Sequence, residues 1–366
     1  MNIFIFLIML LVLVLVHEFG HFFTAKRFGI RVDEFGFGFP PKLFSIKKGE
    51  TEYSFNLLPL GGFVKIFGEN PDEENMNGPD AGKSFVNKSK WKQAIVLFAG
   101  VFANFLLAWF LFSFGFMSGL PTSVDSTRKD YVFSDVHLVV VSVMPDSPAE
   151  LAGLKSGDKI VSIKSGELST IYISPETVRS FVAANPDKEI EISYIRGKNE
   201  NPISTKMTPV QDVEGGRPII GITMDQIGIA KLPILKAFSE GMKLTLSITK
   251  STALGLYRLI LDGVRGKGSF ASITGPVGMV GIVGDAYQFG LVYLLSFAAL
   301  ISINLAIINL LPFPALDGGR LFFLLIEKIK GSRINPKVTN TANMIGFGVL
   351  ILLMLVVTYH DVVKLF

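Results

Sequence analysis

The residues whose types and spacing are best suited to catalysis lie near the start of the chain, in the pentad HEFGH formed by residues 17–21. In a helix, His17 and His21 are one turn apart on the same face and can share a zinc ion. Glu18 is offset around the helix and can act there as general base toward water, the pattern of metalloproteases. Because the sequence contains no cysteine, a zinc site must be built from His, Asp and Glu. The pentad therefore predicts two zinc ligands and a base.

A catalytic zinc site commonly has three protein ligands, so the pentad needs a partner elsewhere. Asp317 belongs to the sequence NLLPFPALDGG, where prolines interrupt an apolar helix and leave irregular backbone. The alternative is that Asp-Gly-Gly only forms a turn, but the need for a third ligand favours coordination. In the same sequence Asn309 could hydrogen-bond a scissile carbonyl or its oxyanion, unless it only caps the helix.

The pentad lies inside an apolar segment, which decides where such a site would operate. Residues 3–16 are uninterrupted apolar, and a helix over residues 3–23 would be about 31 Å long, enough to cross a bilayer. A cleaved signal peptide is disfavoured because the segment lacks a charged start and a small-residue cleavage site. An ordinary span would leave Glu18 without a partner at high energetic cost. We therefore expect a first transmembrane helix at 1–24 that contains the site.

The whole composition is that of an integral membrane protein, with 49% hydrophobic residues and a mean hydropathy of +0.47. The net charge of +4 does not indicate nucleic-acid binding. Further apolar segments predict transmembrane helices at 93–120, 290–319 and 341–360. Lysines and arginines are concentrated in the connection 25–92 and between the last two spans. By the positive-inside rule these connections are cytoplasmic, and the metal site lies toward the cytoplasmic side.

Within the first connection, residues 34–64 alternate aromatic residues with glycines and predict a membrane-associated β segment. Its open edge could pair with an unwound substrate, because a peptide bond in a helix is shielded by its own backbone. Gly36 and Gly38 are our candidates for substrate contact in this segment, and the alternative is a simple hairpin. Residues 69–90 are polar and rich in helix breakers, which predicts a loose loop.

Residues 136–224 predict a small α/β domain on the extracytoplasmic side. Its sequence SPAELAGLKSGDKIVSI is similar to the PDZ domains of bacterial envelope proteases, which capture a peptide or a C-terminus at a strand edge. The alternative is a structural spacer with the same fold. Residues 232–264 have the periodicity of an amphipathic helix at the outer membrane surface. Asn104 is a lone polar residue in the second span, where we expect it to serve packing.

Over nearly its whole length the chain resembles bacterial site-2 proteases of the regulator-of-sigma-E type, which are intramembrane zinc metalloproteases. The sequences that carry this resemblance are HEFGH, PLGGFVKI, FANF, GPVG and SINLAIINLLPFPALDGG. It implies that His17, His21 and Asp317 bind zinc, that Glu18 is the general base and that Asn309 contacts substrate.

Two features depart from this family. Its best-known members have tandem PDZ domains, whereas this sequence has one. In addition, Val101 follows Gly100 where the family usually has proline. The first difference concerns how substrates reach the site, and neither changes the proposed metal ligands.

The resemblance implies a mainly α-helical protein of the bacterial cytoplasmic (inner) membrane, with four transmembrane helices, a membrane-associated β region and one extracytoplasmic PDZ-like domain. Expected partners are the lipid bilayer, single-span substrates such as anti-sigma factors or remnant signal peptides, and a peptide or C-terminus at the PDZ domain. One alternative is a non-catalytic, membrane-embedded PDZ adaptor, which loss of a ligand or of the base would have favoured. Another is a metal transporter, which should have a polar path through several spans.

Overall fold

The computed structural model of the chain describes residues 2–70, 73–124, 132–197, 201–211, 216–266 and 274–363. The chain forms two compact units. The helical unit comprises Met1–Phe114, Phe238–Tyr287 and Leu294–Phe366, and the α/β unit comprises Gly115–Ala237 and Gln288–Tyr293.

The helices are α1 (Asn2–Arg27), α2 (Glu73–Asn77), α3 (Lys90–Ser118), α4 (Pro148–Leu151), α5 (Pro175–Ala184), α6 (Ile234–Val264), α7 (Pro276–Phe289), α8 (Leu291–Leu310), α9 (Asp317–Lys330) and α10 (Pro336–Val363). The strands are β1 (Val32–Lys48), β2 (Thr51–Ile66), β3 (Leu120–Ser123), β4 (Phe133–Val143), β5 (Lys159–Ser165), β6 (Leu168–Thr170), β7 (Ile190–Ile195), β8 (Ile203–Met207), β9 (Val210–Gln211), β10 (Pro218–Ile219) and β11 (Ile222–Ala230).

Among the described residues, four helices are long and apolar enough to cross a membrane: α1, α3, α8 and α10. The mean hydropathy of their most apolar stretches lies between 2.2 and 2.7. The segment 290–319, predicted as the third span, divides into α8, an irregular stretch at 311–316 and the start of α9. Proline at 312 and 314 accounts for the break, because proline lacks the N–H that a helix requires.

Helices α1 and α3 approach each other closely because small residues meet at their contact. A Cβ atom on Gly20 would lie 2.8 Å from the carbonyl carbon of Ala99 and 2.9 Å from Cβ of Ala103. Small residues allow membrane helices to pack backbone against backbone in this way. Gly20 belongs to the pentad, so this contact sets the distance between α3 and the two histidines.

Strands β1 and β2 form a small folded sheet that lies against α1. Residues 34–37 pair on one side with 52–55 and on the other with 62–65. The segment 62–65 packs on the first helix, since a Cβ on Gly62 would lie 2.7 Å from a methyl carbon of Leu15. The sheet therefore has residues 34–37 in its interior and 62–65 on the side next to α1.

The prediction of a loose loop at 69–90 was wrong for the residues that the structure describes. This segment contains α2 and two short 3-10 turns at Ala81–Lys83 and Phe85–Asn87. Phe85 is buried in one hydrophobic cluster with Ala25 and Ile30. The breaker-rich composition predicts a loop, but the buried side chain of Phe85 anchors the segment.

In the α/β unit, the described strands form a main sheet in the order β3-β11-β4-β5-β7-β8, with β6 pairing with β5. Helix α5 covers this sheet and buries Val178 and Val182 in its core. The helix begins at Ser174, whose hydroxyl accepts a hydrogen bond from the N–H of Thr177 at 3.1 Å, as expected of an N-cap. The predicted domain 136–224 lies inside this unit, which also includes β3 and the end of β11.

Helix α6 is amphipathic, as its sequence indicates, and its two halves differ in burial. In the first half, Thr245 is buried and Leu244 and Ile248 pack on a cluster formed by α3 and α8. In the second half, Leu254 and Tyr257 are 48% and 60% exposed. The first half of α6 therefore belongs to the helical core. A helix that lay only on a membrane surface would not be part of this core.

The irregular stretch 311–316 is held against α10. A Cβ on Gly346 would lie 2.8 Å from the carbonyl carbon and from Cβ of Pro314. The N–H of Ala315, whose φ is 78°, donates a hydrogen bond to Oδ1 of Asn343 at 3.1 Å. The last helix thus fixes the backbone that immediately precedes Asp317.

We predict that Gly346→Ala lowers the free energy of unfolding by about 1–3 kcal/mol, because the methyl group has no space beside Pro314. The matched control is Gly348→Ala in the same helix, where a Cβ would have no neighbour within 4 Å. Removing a helical glycine there should leave stability unchanged or raise it by up to about 1 kcal/mol. Thermal unfolding of the detergent-solubilised protein measures both, and equal losses would contradict the packing argument.

Candidate metal centre

The three predicted metal ligands come together at one point, although they lie at opposite ends of the sequence. Nε2 of His17 lies 3.0 Å from Oδ2 of Asp317 and 3.1 Å from Nε2 of His21. Nε2 of His21 lies 3.2 Å from the same carboxylate oxygen. Both histidines are buried, with exposed fractions of 7% and 5%. Helices α1 and α9 therefore supply one compact set of two nitrogen atoms and one oxygen atom.

This donor set fits zinc. Ligand atoms at about 2.0–2.2 Å from a tetrahedral zinc ion are roughly 3.3–3.5 Å apart, near the separations of 3.0–3.2 Å observed here. Oδ2 of Asp317 is buried and has no hydrogen bond, although two nitrogen atoms lie close to it. The three atoms lie within 3.2 Å of one another, so a single ion could contact all of them. Two imidazoles and a carboxylate are also ligands that zinc prefers.

Asp317 is placed by close backbone packing at the beginning of α9. A Cβ on Gly318 would overlap the backbone carbonyls of Leu310 and Leu311, and one on Gly319 would overlap that of Phe313. The first turn of α9 therefore lies directly on the chain that precedes it. The Asp-Gly-Gly sequence does more than form a turn, because its glycines let the carboxylate approach the histidines.

His21 is oriented by α3. Its Nδ1 lies 2.8 Å from the carbonyl oxygen of Val96, so Nδ1–H donates to that oxygen and leaves Nε2 free to bind metal. One turn further along α3, a Cβ on Gly100 would lie 2.7 Å from Cε1 of His21 and 2.8 Å from Cε1 of His17. Position 100 must be glycine for both rings to lie against this helix.

His17 faces the same helix at Asn104, whose carboxamide Nδ2 lies 3.5 Å from Nδ1 of His17. Asn104 is fully buried, and its backbone oxygen accepts a hydrogen bond from Oγ of Ser302 at 2.8 Å. From the sequence, Asn104 was predicted to serve packing, and Val96 was not predicted to contact the site. The spacing of four residues from Val96 through Gly100 to Asn104, one face of a helix, was the signal that could have found them.

Glu18 lies at the same centre but is not one of the three clustered donors. Its carboxylate lies close enough to the two histidines, to Asp317 and to the backbone of Val64, in the β2 segment that packs on α1, to interact electrostatically with them. Asn309, in the last turn of α8, has Nδ2 3.5 Å from Nε2 of His17. A carboxylate and an amide donor thus stand beside the possible metal position, each from a different element.

The two predicted substrate glycines lie within the β1–β2 sheet rather than among the metal donors. Both are buried, and a Cβ on Gly36 would overlap the ring of Phe63. Gly38 has φ 79°, and a Cβ there would lie 3.2 Å from the carbonyl oxygen of Asn56. The close packing within the sheet therefore requires glycine at both positions. Contact of these glycines with substrate remains a prediction.

Comparison with known proteins identifies relatives along the whole chain. The sequence profile described as peptidase family M50 matches residues 5–353. A protein of Clostridium perfringens (strain 13), provisionally named a zinc metalloprotease, is 34% identical over 351 residues, covering 96% of this chain and 95% of the relative. Zinc metalloprotease RasP of Oceanobacillus iheyensis is 31% identical over 441 residues, covering 99% and 98%.

The regulator of sigma-W protease RasP of Bacillus subtilis (strain 168) is 30% identical over 437 residues, covering 99% of this chain and 98% of the relative. Among solved structures, the PDZ domain of an SdrC-like protein from Listeria monocytogenes is 26% identical, with a TM-score of 0.22. That match covers 25% of this chain and 90% of the Listeria domain.

We predict that the purified protein binds one zinc ion, and that His21→Ala and Asp317→Ala each weaken zinc affinity by more than about 100-fold, because each removes a ligand. The matched control is Glu18→Gln, which changes a neighbouring polar side chain but no ligand and should retain zinc affinity. Competition with a chromophoric chelator measures the affinities. Retention of wild-type affinity by Asp317→Ala would rule out this ligand set.

Proposed function

The chain belongs to peptidase family M50, and on this basis we propose that it is an intramembrane zinc metalloprotease that hydrolyses peptide bonds in or near transmembrane segments. The observation that carries the proposal is the convergence of His17, His21 and Asp317 within 3.2 Å, with Glu18 next to His17 in the same helix. Helix α1, which bears the pentad, is apolar and long enough to cross a bilayer.

Zinc held by the two histidines and Asp317 would supply a Lewis acid and lower the pKa of water at the site. Glu18 accepts the proton of the attacking water as its oxygen bonds to the peptide carbonyl carbon. It then returns the proton to the amine as the C–N bond breaks. Glu18 directly follows His17 in α1, so the helix itself places the carboxylate near the ligands for this purpose.

Asn309 is the donor best placed for the carbonyl oxygen of the bond that is cleaved. Its Nδ2 lies 3.5 Å from a metal ligand and extends from the last turn of α8, next to the irregular stretch 311–316. A donor held in a water-poor site is most effective where negative charge develops during the reaction. We assign Asn309 the role of binding the substrate carbonyl and its oxyanion.

The segment 62–65 of β2 is the edge to which an unwound substrate would add as a strand. Residues 34–37 already pair with strand segments on both sides, whereas 62–65 pair only with 34–37 and lie near Glu18. A substrate strand beside this segment would place its backbone next to the general base. Gly36 and Gly38 serve substrate binding through the close packing of the sheet that carries this edge.

The distribution of basic residues supports an orientation in a bacterial cytoplasmic (inner) membrane. Lys26 and Arg27 end α1, Lys90 begins α3, and Lys328 and Lys330 end α9. By the positive-inside rule these ends are cytoplasmic. The metal centre then lies toward the cytoplasm, and the α/β unit is extracytoplasmic.

The α/β unit has a groove suited to the end of a peptide chain, as expected of a PDZ domain. It has a volume of about 510 Å³ and lies between α5 and the strands β10 and β11. Ile222 to Asp225 pair with β4 on one side, and β3 pairs only with residues 227–230 on the other. Arg179 and Arg217 line the groove and offer positive charge to a carboxylate. Single-span proteins with a trimmed extracytoplasmic end, such as anti-sigma factors or remnant signal peptides, fit such a site.

The deciding experiment compares wild type with Glu18→Gln on a model single-span substrate in proteoliposomes. We expect cleavage to fall by about 10²–10⁴-fold, the usual contribution of a general base. Glu189→Gln, at an exposed ion pair with Lys206, is the control and should cleave normally. Equal cleavage by wild type and Glu18→Gln would refute the mechanism. Zinc binding without any cleavage would favour the adaptor alternative.

For the groove, we predict that the full-length protein binds a peptide with a free C-terminal carboxylate, and that Arg179→Ala combined with Arg217→Ala weakens this binding roughly tenfold. Amidating the peptide should have a similar effect, because both changes remove the same charge interaction. Lys164→Ala, which removes an exposed positive charge on β5 outside the groove, is the control. Fluorescence anisotropy measures binding, and equal affinity for the amidated peptide would contradict carboxylate capture.

A further inference from the structure

Helices α1, α3 and α8 meet at Asn104, a fully buried polar residue of α3. Its carboxamide lies 3.5 Å from Nδ1 of His17 on α1, and its backbone oxygen accepts a hydrogen bond from Ser302 on α8 at 2.8 Å. Asn104 and Ser302 are both fully buried. Burying a polar side chain among apolar helices costs free energy. A fully buried asparagine beside a predicted metal ligand is therefore expected to have a specific role.

The chemistry of His17 defines what Asn104 must do. Nε2 of His17 belongs to the cluster of donors at 3.0–3.1 Å, so this nitrogen must be unprotonated to bind a metal ion. A neutral imidazole then carries its hydrogen on Nδ1. That N–H is buried and needs an acceptor, and the side chain it faces is the carboxamide of Asn104.

The oxygen of the carboxamide can reach the same place as its nitrogen, because a rotation of 180° exchanges Oδ1 and Nδ2. Oδ1 of Asn104 is buried without a hydrogen-bond partner, so no bond at that end opposes the rotation. With Oδ1 toward the ring, the amide accepts the hydrogen of Nδ1 and Nε2 is left free for zinc. With Nδ2 toward the ring, Nε2 would be protonated and unable to coordinate.

The second histidine supplies an internal comparison. Nδ1 of His21 lies 2.8 Å from the carbonyl oxygen of Val96, eight residues before Asn104 on α3. Gly100 lies midway and leaves space for both rings. One face of α3 thus carries the carbonyl of Val96, the space at Gly100 and the carboxamide of Asn104. The Val96 carbonyl faces Nδ1 of His21, and the Asn104 carboxamide faces Nδ1 of His17.

We propose that Asn104 is a positioning residue for the metal centre, with Oδ1 accepting the Nδ1–H of His17 and so directing Nε2 to zinc. Ser302 holds the backbone of Asn104 at the required depth through its hydrogen bond from α8. The proposal deepens the proposed function and rests on the zinc site described there. It gives α3 a second orienting contact with the centre, beside the carbonyl oxygen of Val96 that faces His21.

The test is zinc affinity of the full-length protein in detergent, measured by chelator competition for wild type, Asn104→Leu and Asn104→Asp. Leucine matches the size of asparagine without an acceptor and should weaken zinc binding by about 10–100-fold, the usual effect of losing such a partner. Aspartate restores an acceptor oxygen and should remain within about threefold of wild type. Ser113→Ala, a buried hydrogen-bonded serine elsewhere on α3, is the control and should not change affinity.

Unfolding of the metal-free variants separates positioning from packing. We expect Asn104→Leu to unfold at a temperature equal to or above that of wild type, because it removes a buried polar group. Its cobalt-loaded form should have a weaker visible absorption band of tetrahedral cobalt, and Asn104→Asp should recover this band. If leucine prevents folding, Asn104→Ala takes its place in the same series.

Wild-type zinc affinity in Asn104→Leu, or equal losses in the leucine and aspartate variants, would overturn the proposal. Neither result would affect the zinc site itself, because wild type would still bind one ion. Absence of zinc binding by wild type would instead refute the proposed function on which this role depends.

Discussion

The structure depends on one constraint: two imidazoles and one carboxylate oxygen are buried among apolar helices, where water cannot compensate unpaired polar groups. Such groups are tolerated in a membrane protein when they satisfy one another or bind an ion. His17, His21 and Asp317 meet within 3.2 Å, and a zinc ion would satisfy the carboxylate oxygen that has no hydrogen bond. Every element around the centre either supplies one of these groups or fixes its position.

Close backbone packing is the means by which these positions are fixed. Gly20 and Gly100 let α1 and α3 approach until the histidine rings lie against the backbone of α3. Gly318 and Gly346 do the same for the chain around Asp317. Lipid offers little hydrophobic driving force between helices, so small residues that allow dense packing are the main way to hold such a geometry.

The β1–β2 sheet addresses a second requirement of the proposed reaction, which is an extended substrate. A transmembrane helix hides its peptide bonds, and strand addition offers the unwound backbone a replacement for its lost hydrogen bonds. Val64 in the proposed edge lies close to Glu18, so the edge and the base are part of one arrangement. Under the proposed function, this is the physical reason why a β segment rich in glycine and phenylalanine accompanies a helical metal site.

The sequence by itself determined the features that local chemistry dictates. The spacing of His17, Glu18 and His21, the apolar length around them and the prolines before Asp317 predicted two zinc ligands, their base and a third ligand. All three predicted ligands meet in the structure. Helix length and hydropathy likewise predicted the four helices that could cross a membrane, because these properties depend on consecutive residues.

Tertiary structure alone decided which distant atoms complete the centre. Nothing local distinguishes an asparagine that packs from one that orients His17, and a carbonyl such as that of Val96 has no sequence signature. The burial of Phe85 in a breaker-rich segment, and of Gly36 inside a sheet rather than at its edge, likewise depend on what the fold places opposite them. Such roles arise from contacts between separate elements, and the packing of α1 against α3, α8 and α9 sets those contacts.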